Sequence, residues 1–295
     1  MPLCNLNEIL PDAVNKKYGI LATVLFNFES AETAVRAAEE KKSPIIIMFS
    51  DPLMEKFDYF DFNKLIGPII FLARDSSVPV VLHLDHGRNL ESIHHFIKSG
   101  LTSVMVSKTN ISLEEDIKVT KEVINIAHSY NVTVEGEVGE MLGEGGLESS
   151  EKHKSRNEQI RDGFTKVEDA VKFVEATNVD ALSISVGTVH GFFNEKPDID
   201  FSLIKKIKDG VKIPLVIHGA SGLTTEQYKK VIDCGVVKLN YLTGLIEEAR
   251  EKVLEIVKKS NDFSYIEMNY KVAEAVKEKV KSLIDIFGSA GRIRS

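Results

Sequence analysis

Short apolar, β-branched runs alternate with longer amphipathic stretches along most of this chain. The runs at 20–27, 44–50, 78–85, 103–107, 133–138, 181–187, 213–218 and 236–240 have the length and residue types of buried strands. Between them, 30–42, 89–99, 112–130, 165–177, 224–233 and 244–259 carry the near-3.6 period of helices, with 201–209 a shorter one. Ser30, Ser112 and Thr224 stand where N-caps are expected, each followed within a few positions by an acidic residue. Successive βα units predict a parallel sheet, and eight strands most simply remove their exposed edges by closing on themselves. The expectation is an α/β chain folded as a (β/α)8 TIM barrel, one domain over 1–295. The alternative is an open doubly wound sheet. It would place a glycine-rich phosphate turn after the first strand, where this chain reads Asn27-Phe28-Glu29-Ser30.

Two stretches break the repeat. Residues 139–162 are glycine-rich and then strongly polar, without a clear helical period, and so long a loop is a lid or a disordered segment. The C-terminal stretch from Asn269 adds a helix to about Ile286, a helical extension of the barrel, and ends in Gly288-Ser289-Ala290-Gly291-Arg292.

Composition narrows the partners. Over 295 residues, 43% hydrophobic and 27% charged is the balance of an ordinary globular protein. A formal net charge of −7 argues against a nucleic-acid surface, yet it leaves room for an anionic metabolite in a local pocket. Cys4 and Cys234 form neither a ligand pair nor a disulfide framework and fit a reducing compartment. With no export signal visible and no apolar run long enough for a membrane, the expected location is cytoplasmic.

In a barrel of this kind, functional groups gather where strands end and the following loops begin. The third strand ends Leu84-Asp85-His86-Gly87, and the fifth runs Glu135-Gly136-Glu137-Val138-Gly139. The sixth leads into Thr188-Val189-His190-Gly191, the seventh into His218-Gly219-Ala220-Ser221-Gly222, and the eighth ends Lys238-Leu239-Asn240. Three of the eight histidines thus share one end of three strands, each followed by glycine. Neutral imidazole is a common zinc ligand, and three protein ligands with an open position make a catalytic site. Hydrogen bonding within a loop is the competing reading for any one of them. His94, His95, His128 and His153 fall on helices or in the polar loop, and His83 lies within a strand as a packed neighbour.

These blocks, in this order, together with Phe26-Asn27 and the tail Gly288-Ser289-Ala290-Gly291-Arg292-Ile293, resemble the class II, zinc-dependent ketose-bisphosphate aldolases over nearly the whole chain. The resemblance implies that His86, His190 and His218 hold a catalytic Zn²⁺, with Glu137 a switchable fourth ligand and Glu135 beside it. A monovalent cation is an additional candidate. By the same resemblance Asp85 moves the proton on the substrate C4 oxygen, and Glu148, on the mobile loop, handles the carbon-bound proton. The interval from Glu137 to Glu148 is longer than usual, which keeps Glu144 as a competitor. Gly191, Gly219, Ser221, Asn240 and Thr243 match positions that hold a dihydroxyacetone phosphate portion, and Asn27 and Ser50 match further substrate contacts. The implied partner is a small sugar phosphate, and the implied assembly a homodimer or homotetramer.

The pattern also departs from the family. Ser107 stands where an Asp is common, and Asn240-Tyr241-Leu242-Thr243-Gly244 lacks both acids of the fructose-specific run. Ile246 replaces a basic residue expected for the distal phosphate, and Asn194 a lysine. Glu29 and Ser30 replace amides after Asn27, and Arg292 offers either a distal phosphate contact or a solvated arginine. The resemblance implies reversible cleavage of a ketose (bis)phosphate, such as fructose 1,6-bisphosphate, to dihydroxyacetone phosphate and an aldehyde. Most changes fall on the acceptor half of the site, which opens the choice to a substrate other than that sugar. Tagatose bisphosphate or another ketose phosphate, a different barrel metalloenzyme, and a non-catalytic sugar-phosphate binder are the alternatives.

Overall fold

The structure, a computed structural model, describes residues 2–56, 63–107, 111–141, 156–191, 197–259 and 262–293. Its strands are β1 (Leu3–Cys4), β2 (Ile20–Val24), β3 (Ile45–Ser50), β4 (Val80–Gly87), β5 (Ser103–Val106), β6 (Thr133–Val138), β7 (Ala181–Ile184), β8 (Leu215–Ile217) and β9 (Val236–Tyr241). From β2 to β9 each strand pairs in parallel with the next, and β9 returns to pair with β2. The ring is closed, which removes the open-sheet alternative. The two residues of β1 add to β4 at Val80 and Val81.

The helices are α1 (Leu6–Lys16), α2 (Phe28–Lys41), α3 (Asp51–Lys56), α4 (Asn63–Asp75), α5 (Leu90–Ser99), α6 (Leu113–Ser129), α7 (Arg156–Asp162), α8 (Val167–Thr177), α9 (Phe201–Val211), α10 (Thr225–Asp233), α11 (Thr243–Lys259) and α12 (Tyr265–Phe287). Ser112 and Thr224 cap α6 and α10 as expected. Ser30 does not cap α2. The first strand ends at Val24, earlier than its apolar run, and Asn27 is extended and caps instead, its Oδ1 accepting from Ser30 N at 2.8 Å.

Four helices escaped the periodicity reading. In α4 the apolar stripe is interrupted by Gly67 and Pro68, residues that normally oppose a helix interior. The short α3 precedes it, and α7 lies inside the polar stretch read as non-helical. That helix has Ile160 as its single apolar residue, which leaves no periodicity to detect. The fourth is α1, whose Pro11 sits between a few apolar residues.

This first helix sets the polarity of the whole molecule. Asn5 and Glu8 form its capping box, and Leu6, Ile9, Leu10 and Ala13 form its buried face. That face packs on the inward residues Ile20, Ala22, Val24, Ile46, Met48, Val81, Ala181, Val216 and Val237. Leu6 N donates to Thr133 Oγ1 (3.2 Å) and Asn5 Nδ2 to the Asn131 carbonyl (3.2 Å), both where β6 begins. The N-terminal end of the barrel is therefore plugged. Further along the strands the interior turns polar: His83, Ser103, Glu135, Ser183 and Lys238 are all fully buried. Outward-facing strand residues form a separate, larger core with the ring helices.

At the C-terminus, α12 packs on α2, α10, α11 and β2, through Val276, Val280, Leu283, Ile284 and Phe287. Arg292 is fixed at the plugged end: its guanidinium stacks on Tyr18, 4.8 Å from the ring centroid, and its Nε donates to the Gly288 carbonyl at 3.0 Å. Tyr18 precedes β2, so Arg292, partly exposed, lies away from the strand ends that carry the histidines, which speaks against a distal phosphate contact within this chain. Among the described residues, no helix is long and apolar enough to cross a membrane.

The plug predicts its own energetics. Leu10 is 1% exposed. Leu10→Ala is expected to lower stability by about 2–5 kcal/mol, through lost burial and the cavity left behind. Chemical denaturation would show this as a lower midpoint with an unchanged slope.

Candidate metal centre

A regular strand points Asp85 and His86 to opposite faces. Here the register of β4 against β5 shifts between Leu84 and Gly87, and His86 adopts a left-handed backbone with φ 54°. Bulge and strain together aim both side chains at the open mouth of the barrel. Gly87 makes this possible, because a Cβ there would lie 2.7 Å from the Met105 carbonyl oxygen.

His190 and His218 arrive on the loops after β7 and β8. Gly219, with φ 64°, holds those loops together: a Cβ would lie 2.2 Å from the Val189 carbonyl oxygen, one residue before His190. The three imidazoles stand edge to face, with centroids 5.1 Å (His86–His190), 4.8 Å (His86–His218) and 5.8 Å (His190–His218) apart. One ring nitrogen from each lies within 4.8 Å of the others.

The proton on His218 can be assigned from its partners. Nε2 lies 3.0 Å from Glu135 Oε1, and a carboxylate only accepts, so Nε2 carries the hydrogen. Asn240 Nδ2 also approaches Nε2, at 3.0 Å, but there both nitrogens are donors, and the amide has an acceptor in Asp85. The bare Nδ1 of His218 then faces His86 Nε2 at 3.1 Å. Two imidazole nitrogens turned toward each other, with a third close by and one tautomer fixed from behind, make the donor set of a three-histidine metal site. The residues fit a divalent ion.

Asp85 stands beside this cluster, buried, with Oδ2 3.9 Å from His86 Nε2 and Oδ1 4.0 Å from His218 Nδ1. Asn240 Nδ2 donates to Asp85 Oδ1 at 3.1 Å, and Ser50 is the register partner of Asp85 across β3 and β4. Lys238 Nζ lies 2.9 Å from Glu135 Oε2 and donates to Asn240 Oδ1 at 2.7 Å. Below them His83 Nδ1 meets Ser103 Oγ at 2.8 Å. Burial, reinforced by the Lys238 cation, holds the His83 imidazole well below its ordinary range and therefore neutral.

Of the expected site residues, His86, His190, His218 and Asp85 converge. Glu137 does not join the three-histidine group; its Oε2 accepts from Ser107 Oγ at 2.9 Å. Ser221 lies in a 3₁₀ turn, Ala220–Gly222, pinned by the Tyr228 hydroxyl on the Ala220 carbonyl at 2.6 Å. Leu242 N donates to Ser221 Oγ at 3.3 Å, which ties that turn to Thr243 at the start of α11. Gly191 is exposed with φ 87°, and the Asn27 side chain is engaged as the α2 cap. Glu148 and its competitor Glu144 lie outside the described residues. His95 and His128 are engaged by Asn63 and Asp180, as helix-surface residues should be. Sequence reasoning assigned no role to Lys238. The available signal was a lysine between Val237 and Leu239 in an apolar run.

Known proteins resemble this chain over nearly its whole length. A family model described as "Fructose-bisphosphate aldolase class-II" matches residues 4–292. The fructose-bisphosphate aldolase of Thermus caldophilus is 34% identical, covering 97% of this chain and 98% of that protein. The 6-phospho-5-dehydro-2-deoxy-D-gluconate aldolase of Halalkalibacterium halodurans is 31% identical over 100% of this chain and 99% of its own length. Among solved structures, the YdjI aldolase from Escherichia coli K12 superposes with a TM-score of 0.85 at 31% identity, covering 99% of this chain and 100% of that one.

The three-histidine arrangement makes a direct prediction. The purified protein is expected to hold about one zinc per chain, and His190→Ala to lose most of it while keeping its fold. Elemental analysis beside circular dichroism checks this; full zinc retention by the variant would remove His190 from the site.

Proposed function

The chain belongs to the class II fructose-bisphosphate aldolase family, and we propose that it reversibly cleaves a ketose phosphate into dihydroxyacetone phosphate and an aldehyde. The observation that carries this reading is the pairing of Asp85 with the three-histidine cluster, at 3.9 and 4.0 Å from two of its ligand nitrogens. His86, His190 and His218 would hold a divalent ion such as Zn²⁺, which when bound would supply Lewis acidity toward negative charge developing on the three-carbon fragment.

The chain's own groups do the rest. Asp85, oriented by Asn240, takes the proton from the substrate C4 hydroxyl as general base. Its other oxygen, Oδ2, lies on the side of His86 and the metal position. Glu148, or Glu144 in its place, returns a proton to the carbon of the enediolate. Gly191, Gly219, Ser221, Asn240 and Thr243 hold the dihydroxyacetone phosphate portion; backbone amides of the Ala220–Gly222 turn suit an anion without adding a cation. Asn27 and Ser50 contact the sugar. Glu137, steadied by Ser107, is the alternate metal ligand.

Relatives of similar identity are named for substrates with different ends, one a bisphosphate and one a phosphorylated gluconate derivative. Overall similarity therefore does not select the acceptor. Leu242, Gly244 and Ile246 supply neither acid nor base where fructose-specific chains have them, and Arg292 is committed to Tyr18. These residues favour a substrate whose distal end is not gripped as a second phosphate. The same reading includes a cytoplasmic location for one barrel domain. It also includes self-association into a homodimer or homotetramer, with Tyr265, Ile266 and Tyr270 of α12 exposed for a second copy to cover. A monomer by sedimentation equilibrium at micromolar concentration would remove that last part.

The test is a coupled assay for dihydroxyacetone phosphate release from fructose and tagatose 1,6-bisphosphates and from ketose monophosphates. Release should vanish on EDTA treatment and return with zinc, and fructose 1,6-bisphosphate should not be the best substrate. Asp85→Asn should lower kcat by about 10²- to 10⁴-fold while zinc stays bound. Thermal stabilisation by sugar phosphates without any turnover would instead identify a binding protein.

A further inference from the structure

We propose that Lys238 is a positioning residue that sets both the tautomer of His218 and the orientation of Asp85. The inference rests on the reading of His86, His190 and His218 as metal ligands and of Asp85 as base.

Lys238 is fully buried in the barrel. An ammonium group taken out of water is costly unless paired, and replacing a buried ion pair with hydrocarbon is often neutral or stabilising. Stability alone gives little reason for a lysine between Val237 and Leu239. Its two partners give a better one.

The first arm runs through Glu135. One carboxylate oxygen faces Lys238 Nζ at 2.9 Å, and the other accepts from His218 Nε2 at 3.0 Å. With the lysine in place, Glu135 stays a pure acceptor with a fixed rotamer, and His218 must keep its hydrogen on Nε2. That leaves Nδ1 bare toward the metal position. His83 Nε2 waits 3.8 Å from the same Glu135 oxygen that faces the lysine. Without Lys238, the carboxylate can swing to His83 and release His218.

The second arm runs through Asn240. An amide side chain can present either end, and here Lys238 selects it by donating to Oδ1 at 2.7 Å. The amide nitrogen is thereby turned outward and donates to Asp85 Oδ1 at 3.1 Å. A flipped amide would set a carbonyl oxygen against the Asp85 carboxylate and push it away. A single cation thus orients the metal ligand and the base at once, without touching the metal or the substrate.

The experiment compares wild-type protein with Lys238→Met and with the double variant Glu135→Gln/Lys238→Met, which removes the buried pair together and guards against misfolding of the single variant. Zinc affinity is read by chelator competition, ligand geometry by the visible absorption of the Co²⁺-substituted protein, and chemistry by kcat and KM separately. Lys238→Met should bind zinc about 10-fold or more weakly, as other residues that support metal ligands do. Its Co²⁺ spectrum should change, and kcat should fall with KM little altered. In the double variant the amide oxygen introduced by Glu135→Gln still accepts from His218 Nε2, so zinc affinity should recover. The Asn240 amide is still unpinned there, so kcat should stay low. A folded Lys238→Met protein with wild-type zinc affinity, Co²⁺ spectrum and kcat would overturn the proposal, as would a double variant with wild-type kcat. Wild-type protein that takes up no metal at all would overturn the metal reading, and this inference with it.

Discussion

A carboxylate with no solvent exposure sits near the middle of the barrel, and most of the functional end is arranged to accommodate it. Glu135 faces Lys238 with one oxygen and His218 with the other. A charge in that position must be matched by donors, because an unpaired buried carboxylate is costly to the fold. The donors available are the lysine and an imidazole, and each is used again by something nearer the surface. Lys238 continues to Asn240 and Asp85, and His218 continues to His86. Order at the mouth of the barrel is thus inherited from a polar layer beneath it.

That layer has to be confined to one end. Barrel interiors are ordinarily filled by branched apolar side chains, and this one is apolar only where α1 packs against it. The capped helix with Leu6, Ile9, Leu10 and Ala13 covers the N-terminal end with an apolar cluster. The polar interior can then serve orientation. The strained turn at His86 follows the same logic: a left-handed residue beside a bulge persists only where packing over-determines it, and Gly87 against the Met105 carbonyl provides that packing.

The barrel was legible in the sequence because its strands are nearly all buried, and a parallel sheet writes itself as short apolar runs. Four helices were not, for separate reasons. Pro68 and Gly67 disguise α4, α3 is too short to show a period, α7 is almost entirely polar, and α1 carries Pro11 inside a short stripe. The three histidines were legible as a group because each precedes a glycine at or after the end of a strand, whereas the role of Asp85 was implied only by the family resemblance. Lys238 was not, because a lone lysine in a strand has no spacing to test. Its meaning comes from Glu135, Asn240 and Asp85, which come from three different strands and meet only across the closed barrel. Arg292 shows the reverse error: a charge in the tail suggests a phosphate until the stack on Tyr18 places it at the wrong end.

The same geometry explains how one half of such a site could change while the other stays. The residues proposed to handle the three-carbon fragment hang on interior groups: Asp85 on Asn240, His218 on Glu135, and the Ser221 turn on Tyr228 and Leu242 N. Substituting any of the polar side chains among them strands a buried partner. The side chains of Leu242 and Ile246, by contrast, lie at the rim beside the first turn of α11, only partly buried or exposed. As hydrocarbons they hold no hydrogen bond to the polar layer, so the acceptor end is free to be rewritten for another aldehyde. The buried network constrains the chemistry, and the unconstrained rim is where substrate choice can drift.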